Sequence, residues 1–262
     1  MFEFHKNRKQ YFEMQVNNAA QFVIPFIEQK IKITPGMQVL EIGCGEGGVL
    51  KAFINKGCVG VGVELDESRL VNAREWLKED IDANKIQFIS KDIYQVNPAV
   101  EFPSLFDIII LKDVIEHIHD QKKLMGWMQQ FLKPGGAIYF GFPPWQMPFG
   151  GHQQLCTNSF LSKLPYYHLL PNFLYAGILK LGGETSGKIG ELLEIKSTRI
   201  SIERFERIVK AAGLNIKNNR HYLINPIYKY KFGLDARVQF AFIKAIPFVR
   251  NFLTTCVYYS VG

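Results

Sequence analysis

The stretch VLEIGCGEGG, residues 39–48, decides how this chain is read. An apolar run ends in Glu41 and Ile42, breaks into Gly43, Gly45, Gly47 and Gly48, and gives way to apolar Val49 and Leu50. That order predicts a buried strand, a tight turn and a helix. Glycines sit where the backbone turns sharply or a ligand must approach without a Cβ in the way. Gly43, Gly45 and Gly48 stand in the G-x-G-x-x-G order of many nucleotide-binding loops, and the same ten residues read either as a dinucleotide fingerprint or as the opening of an S-adenosylmethionine pocket. The glycines alone do not choose.

Outward from the loop, residues 37–142 repeat an apolar run, a turn and an amphipathic segment, the pattern of βαβ units and a parallel sheet. The expected strands are MQVLEIG, CVGVGVEL, IQFISKD, FDIIILKD and GAIYFGF. A helix is expected from Ser68, as its cap, to about Lys78, and LKPGG at 132–136 is expected to end another. Tyr11 to Ile33 reads as helical around Pro25. Residues 143–198, rich in proline, glycine and aromatics, break the alternation, and a connection of that length in a compact fold is usually functional. A helix capped by Ser201 and stopped by Gly213 then precedes strands around NIKNNRHYLI and LTTCVYYSV. The expected organisation is an N-terminal helical segment (1–36), an α/β core (37–142), a cap or substrate insertion (143–198) and a C-terminal helix and strands completing the core (199–262).

The composition, 47% hydrophobic and 21% charged over 262 residues, suits one buried core and excludes a disordered chain. Four scattered cysteines without C-x-x-C pairs give neither a zinc framework nor a disulfide one, and no metal is expected. The polar start MFEFHKNRKQ lacks a signal-peptide stretch, so a cytoplasmic location is expected. The net charge of +7 is concentrated: residues 186–262 hold 13 Lys and Arg against 5 Asp and Glu. Such a surface attracts nucleic acid, anionic lipid or phosphorylated ligands, or is simply a solvated helix face.

Glu41 is the better witness to the ligand. A pyrophosphate at this strand tip would bring about two negative charges to its carboxylate, and two like charges at ~4 Å repel by about 1 kcal/mol in water and ~4 kcal/mol near a protein surface. S-adenosylmethionine carries no phosphate and offers an α-ammonium and a sulfonium. Glu64, ending the second strand, suits the two hydroxyls of a ribose, which either cofactor has. Asp92 and the backbone of Ile93 suit an adenine amino group and ring nitrogen, although Asp92 also reads as a turn cap.

These segments together resemble the class I S-adenosylmethionine-dependent methyltransferases. Glu41, Gly43, Gly45 and Gly47 match the family's first motif, which makes the match completed by Gly48 incidental. GVELD, KDI, FDIIILKDVIEHIHD and LKPGGAIYFGFP follow in the family's order over residues 37–142. The resemblance implies a Rossmann-like, seven-stranded, mostly parallel sheet with an antiparallel last strand, helices on both faces and a helical, aromatic-rich cap. It implies S-adenosylmethionine as cofactor, with S-adenosylhomocysteine as product, held by Glu41, Gly43, Cys44, Gly45, Gly47, Glu64, Leu65, Asp92, Ile93, Lys112, Asp113 and His117. The Lys112 side chain should turn away from the sulfonium.

The implied activity is methyl transfer to a small or amphipathic acceptor. His117, at the lip of the cleft, is a candidate general base or a packing residue; His152, in GFPPWQMPFGGHQQ, is a second candidate base, beside Phe and Trp residues that would wall the substrate. His119 reads as a surface residue. PPW invites comparison with amino-group DNA methyltransferases, but that motif follows the fourth strand, where this chain has LKDV, so nucleic acid is not the expected partner. The basic, aromatic region 225–252 makes peripheral membrane contact a further expectation. An NAD(P)-dependent oxidoreductase and a noncatalytic cofactor-binding module remain the alternatives.

Overall fold

The computed structural model describes residues 7–262; the first six residues, with the start of the segment expected over 1–36, lie outside the described residues. Its sheet contains β1 (Gln38–Ile42), β2 (Val59–Glu64), β3 (Ile86–Ser90), β4 (Phe106–Lys112), β5 (Leu132–Phe142), β6 (Ile216–Ile224), β7 (Arg237–Val238) and β8 (Cys256–Val261). The spatial order is β3-β2-β1-β4-β5-β8-β6-β7. β1 to β5 run parallel, and β8 lies antiparallel between β5 and β6. The eighth strand beyond the expected seven is β7, two residues paired at the edge of β6. The strand order reverses between β1 and β4, which opens a crevice at their carboxyl ends where such sheets bind ligands.

Alternation along the strands builds two cores. Ile109 and Leu111 of β4 join Ile138 and Phe140 of β5 beneath the helices Gln121–Met128 and Ile202–Ala211. Ile108 and Ile110 face the other way, toward Phe26, Phe53 and Tyr139. Each such aliphatic side chain contributes about 1.5–3 kcal/mol by burial, so a one-residue slip of β4 would forfeit both layers at once.

Three local expectations are revised. The helix Glu67–Trp76 is capped by Asp66, whose carboxylate accepts from the Ser68 N–H, and not by Ser68. LKPGG does not stop a helix: the preceding helix has ended, and the motif forms the start of β5, where Leu132 pairs with Phe106 and Ala137 with Ile108. The intervening residues bulge, with Gly135 at φ +82°. The N-terminal helix runs Arg8–Asn18, passes through a π-helical stretch at Ala19–Val23 and ends at Ile27, with Pro25 in its last turn.

Residues 143–198 form short 3₁₀ turns and two helices, Asn172–Leu181 and Ser186–Thr198. They bury their own cluster of Trp145, Cys156, Leu161, Tyr167, Tyr175, Leu179, Leu192 and Ile195. His168 pins it, its Nε2 bonding the Trp145 carbonyl at 2.9 Å and its Nδ1 the Gln153 amide at 3.1 Å. The helix capped by Ser201 runs Ile202–Ala211, as expected, and Gly213 follows at φ +75°. Among the described residues, no helix is long and apolar enough to cross a membrane.

Candidate functional site

The loop after β1 is shaped by left-handed glycines: Gly43 at φ +69°, Gly45 at +54° and Gly47 at +78°. The N–H groups of Gly43 and Cys44 donate to the Val63 carbonyl at 2.8 and 3.2 Å, which folds the loop over the tip of β2. Glu64 completes the tie. Its carboxylate accepts from the N–H groups of Gly45 (2.8 Å), Leu65 (2.8 Å) and Asp66 (3.1 Å). Gly48 has a packing role of its own: a Cβ there would stand 2.9 Å from the Phe12 carbonyl oxygen, so its bareness lets the N-terminal helix press against the loop.

This loop borders a cavity of about 560 Å³ lined by Glu41, Gly43, Cys44, Gly45, Lys112, Asp113 and His117. A neighbouring cavity of about 330 Å³ carries Glu64, Leu65, Asp92 and Ile93 and shares Gly43, Asp113 and His117 with the first. Of the residues expected at the cofactor, only Gly47 lines neither. A Cβ on Gly47 would meet the Phe88 ring at 2.9 Å, so it serves the packing of the loop. Asp92 also caps a turn, accepting from the Tyr94 N–H at 2.9 Å.

Glu41 is 3% exposed, and its carboxylate accepts one backbone hydrogen bond, from Leu50 at 3.2 Å. Burial pushes its pKa up to about 8, and the Lys112 ammonium only partly offsets this. Lys112 lines the first cavity, and its buried ammonium pairs with the Asp113 carboxylate. Burial alone would lower its pKa, but Asp113, with Tyr11 and Tyr258, carries it above the ordinary lysine range. Burial would raise Asp113, and the same ammonium holds it below the usual carboxylate range.

Beyond Asp113 lies a third cavity, about 220 Å³, lined by Asp113, Glu116, Met147, Phe149, His152 and Tyr228. Asp113 thus borders all three hollows. EHIHD is not helical: a 3₁₀ turn spans Ile115–His117, Ile118 is extended, and the helix starts only at Gln121 after the Asp120 cap. His117 stands at the lip with its ring 4.9 Å, centroid to centroid, from that of His152. Burial lowers the pKa of both imidazoles, that of His152 to about 4, against the opposing pull of Asp113. His152 and Asp113 both hold left-handed backbones, φ +55° and +57°, a conformation that costs side-chain-bearing residues about 1–3 kcal/mol and gathers at functional sites. Phe149 reaches this wall, but Trp145 belongs to the cap core. His119 is exposed, beside Glu194.

Sequence reasoning passed over Glu116. Its signal was present: an acid next to His117, directly after the fourth strand, between apolar Ile115 and Ile118. It is 6% exposed, and burial together with Asp113 raises its pKa well above the usual range. A hollow of about 650 Å³ at the opposite end of the sheet, by the strand starts Gln38, Val59 and Ile86, holds none of the expected residues.

A family model described as "Methyltransferase domain" matches residues 13–165, more than half of the chain. The chain belongs to this methyltransferase-domain family. Relatives within reach of sequence comparison include the ubiquinone biosynthesis O-methyltransferases of Thiobacillus denitrificans, 30% identical over 105 residues (40% of this chain, 44% of that protein), and Pseudomonas entomophila, 25% identical over 118 residues (45% and 48%). The chain spans about half the length of these curated relatives. The fold is that of solved S-adenosylmethionine-dependent methyltransferases. The Clostridium acetobutylicum example is 15% identical with a TM-score of 0.57, covering 94% of this chain and 91% of its own. The plantazolicin methyltransferase in complex with S-adenosylhomocysteine is 13% identical with a TM-score of 0.58, covering 97% and 85%. The methyltransferase-domain match takes in the glycine loop, Glu64, Asp92, Lys112 to His117 and His152.

Proposed function

We propose that the chain transfers a methyl group from S-adenosylmethionine to a small or amphipathic acceptor, one with a hydroxyl oxygen as nucleophile. The observation that carries this reading is Glu41, a buried acid whose pKa stands at about 8, facing a cavity beneath a bare glycine loop. A site of that kind fits a cation of an amino acid's size and opposes a pyrophosphate, which weighs against a nicotinamide dinucleotide. The name O-methyltransferase borne by the ubiquinone-biosynthesis relatives supports an oxygen acceptor.

When bound, S-adenosylmethionine supplies a methyl carbon activated by its sulfonium, and the acceptor's lone pair forms the new bond as the carbon–sulfur pair passes to sulfur. The chain's residues align and desolvate. Glu41 holds the cofactor's ammonium, Glu64 the ribose, and Asp92 with the Ile93 N–H the adenine. The Lys112–Asp113 pair keeps the ammonium of Lys112 off the sulfonium. The acceptor lies in the cavity of Phe149, Met147 and Tyr228, next to the imidazoles of His117 and His152 that take its proton.

Calorimetry with S-adenosylhomocysteine and with NADH tests the cofactor: binding of the first and not the second is expected, and the reverse would overturn the reading. With a verified acceptor, His117→Ala should lower kcat by on the order of 10²–10⁴ while affinity for S-adenosylhomocysteine changes far less. An unchanged kcat would remove His117 from the chemistry.

Peripheral membrane contact is the finer part of the proposal on partners. Phe240, Phe242, Ile246, Phe248, Val249 and Leu253 are exposed near Arg237 and Lys244, an amphipathic surface of the kind that settles on anionic lipid. Arg250 adds little, being paired with Glu203 and Glu206. Cosedimentation with phosphatidylserine vesicles at low salt, weakening as salt rises, is expected; no cosedimentation at low salt would dispose of the contact.

A further inference from the structure

We infer that Glu116, His117 and His152 form a binding site for one divalent transition-metal ion of the zinc type, placed between the cofactor cavity and the acceptor cavity. One ligand atom from each residue lies within 4.8 Å of the others. Ligands around a tetrahedral ion with bonds of ~2.0–2.2 Å stand about 3.4 Å apart, so the three close on an ion through small side-chain movements.

The second observation is Glu116 itself. Its Oε2 is buried and has no hydrogen-bond partner, in a residue 94% removed from solvent. An unpartnered buried carboxylate oxygen costs free energy, and such groups are normally paired or coordinate a metal. Thr198 bonds the Glu116 carbonyl and not its carboxylate, and the Lys112 ammonium is committed to Asp113. The carboxylate shares its space with two imidazole rings whose planes are inclined at 58° to each other.

The donor set decides the ion. Two imidazoles and one carboxylate are the ligands of zinc and its neighbours in open, catalytic sites, whereas magnesium and calcium ask for oxygen ligands alone. Three protein ligands leave a coordination position open. Because Glu116 and His152 line the acceptor cavity while His117 lines the cofactor cavity, an acceptor oxygen in that position would stand beside the methyl donor. With the ion bound, His117 and His152 serve as its ligands instead of taking the proton themselves: the ion lowers the pKa of a bound hydroxyl, whose proton leaves to water, so that the oxygen meets the methyl carbon as an anion. This last step rests on the proposed methyl transfer; the metal site does not.

The test uses the full chain, freed of metal by chelator and dialysis, free of any histidine tag, and titrated with cobalt(II) as a spectroscopic probe and zinc(II) as competitor. One equivalent of cobalt should bind with visible d–d absorption, be displaced by zinc and resist excess magnesium. Glu116→Gln and His152→Asn should each weaken cobalt binding by on the order of 100-fold or more, asparagine being chosen because it tolerates the left-handed backbone. Each variant is assayed for S-adenosylhomocysteine binding in parallel, which reports that it has folded. No saturable cobalt binding by a chain that binds S-adenosylhomocysteine overturns the metal site and leaves the cofactor reading standing. Cobalt binding that persists undiminished in both variants overturns it as well. Cobalt bound and lost as described, in a chain indifferent to S-adenosylhomocysteine, supports the site and overturns the cofactor reading instead.

Discussion

Gly43→Ala should cut affinity for S-adenosylhomocysteine by roughly 30- to 100-fold, the effect of about 2–3 kcal/mol at 1.4 kcal/mol per factor of ten. Two costs combine. At φ +69° an alanine pays about 1–2 kcal/mol for the left-handed backbone. Its Cβ would also stand 2.6 Å from Val114 Cγ2 and 3.4 Å from Cγ1. Valine has few rotamers to retreat into, so the overlap passes into the backbone at Val114, next to Asp113. The loop and the turn after β4 would then separate where the cofactor is expected to lie. Gly135→Ala is the matched control, since Gly135 has φ +82° with nothing within 4 Å of its Cβ position. It should lower Tm by the backbone share alone and leave binding untouched. Adding Val114→Ala to Gly43→Ala should recover the steric share alone. Full affinity in Gly43→Ala would place the cofactor elsewhere.

That substitution also shows what the sequence made legible. Strands β1, β2, β4 and β5 announce themselves because each is buried on two faces and reads as an apolar run, while β3, with Gln87 and Ser90 exposed, alternates. The left-handed turn after β1 is visible because only glycine takes it without strain. Glu41 drew notice in the sequence because an acid at a buried strand tip needs a reason to be there, and the structure does bury it beside the glycine loop. Contacts between distant segments were not readable. Nothing in the sequence tells that Phe12 and Gln15 pack on Gly48, or that Lys112 pairs with Asp113. Ser68 was expected to cap its helix, and only the hydrogen bond shows that Asp66, two residues earlier, does so.

Glu116 makes the same point at the site. Beside His117 it reads as an acid on a surface turn, and its burial comes from Thr198 and the cap, 82 residues onward. His152 reaches it from the segment after β5, held by a backbone conformation that sequence does not encode in any simple period. Residues 143–198 follow no βα alternation because they bury a core of their own, around Trp145 and Tyr175.

Binding of S-adenosylhomocysteine should strengthen as pH rises from 6 to 8, approaching tenfold per unit, and level off above. The cause is Glu41. Its carboxyl in the folded chain has a pKa of about 8 against an ordinary 4.5, so at pH 6 the site is neutral and at pH 8 it is half ionised. The ammonium of the ligand favours the ionised form, so binding expels a proton throughout that window. One pKa unit of coupling is worth about 1.4 kcal/mol. The histidines at the site titrate lower than Glu41, because burial moves both imidazoles down from their ordinary value, that of His152 to about 4. Calorimetry at pH 7 in phosphate and in Tris should therefore report nearly one proton released per ligand. The sign for the free chain is opposite. Its native state holds a proton that the unfolded chain has already lost, so its stability falls as pH climbs from about 4.5 to 8. Glu41→Gln mimics the protonated acid. It should match the wild type at pH 6, bind more weakly than it at pH 8, and flatten both pH profiles. A wild-type affinity constant from pH 6 to 8 would mean that Glu41 does not meet the ammonium.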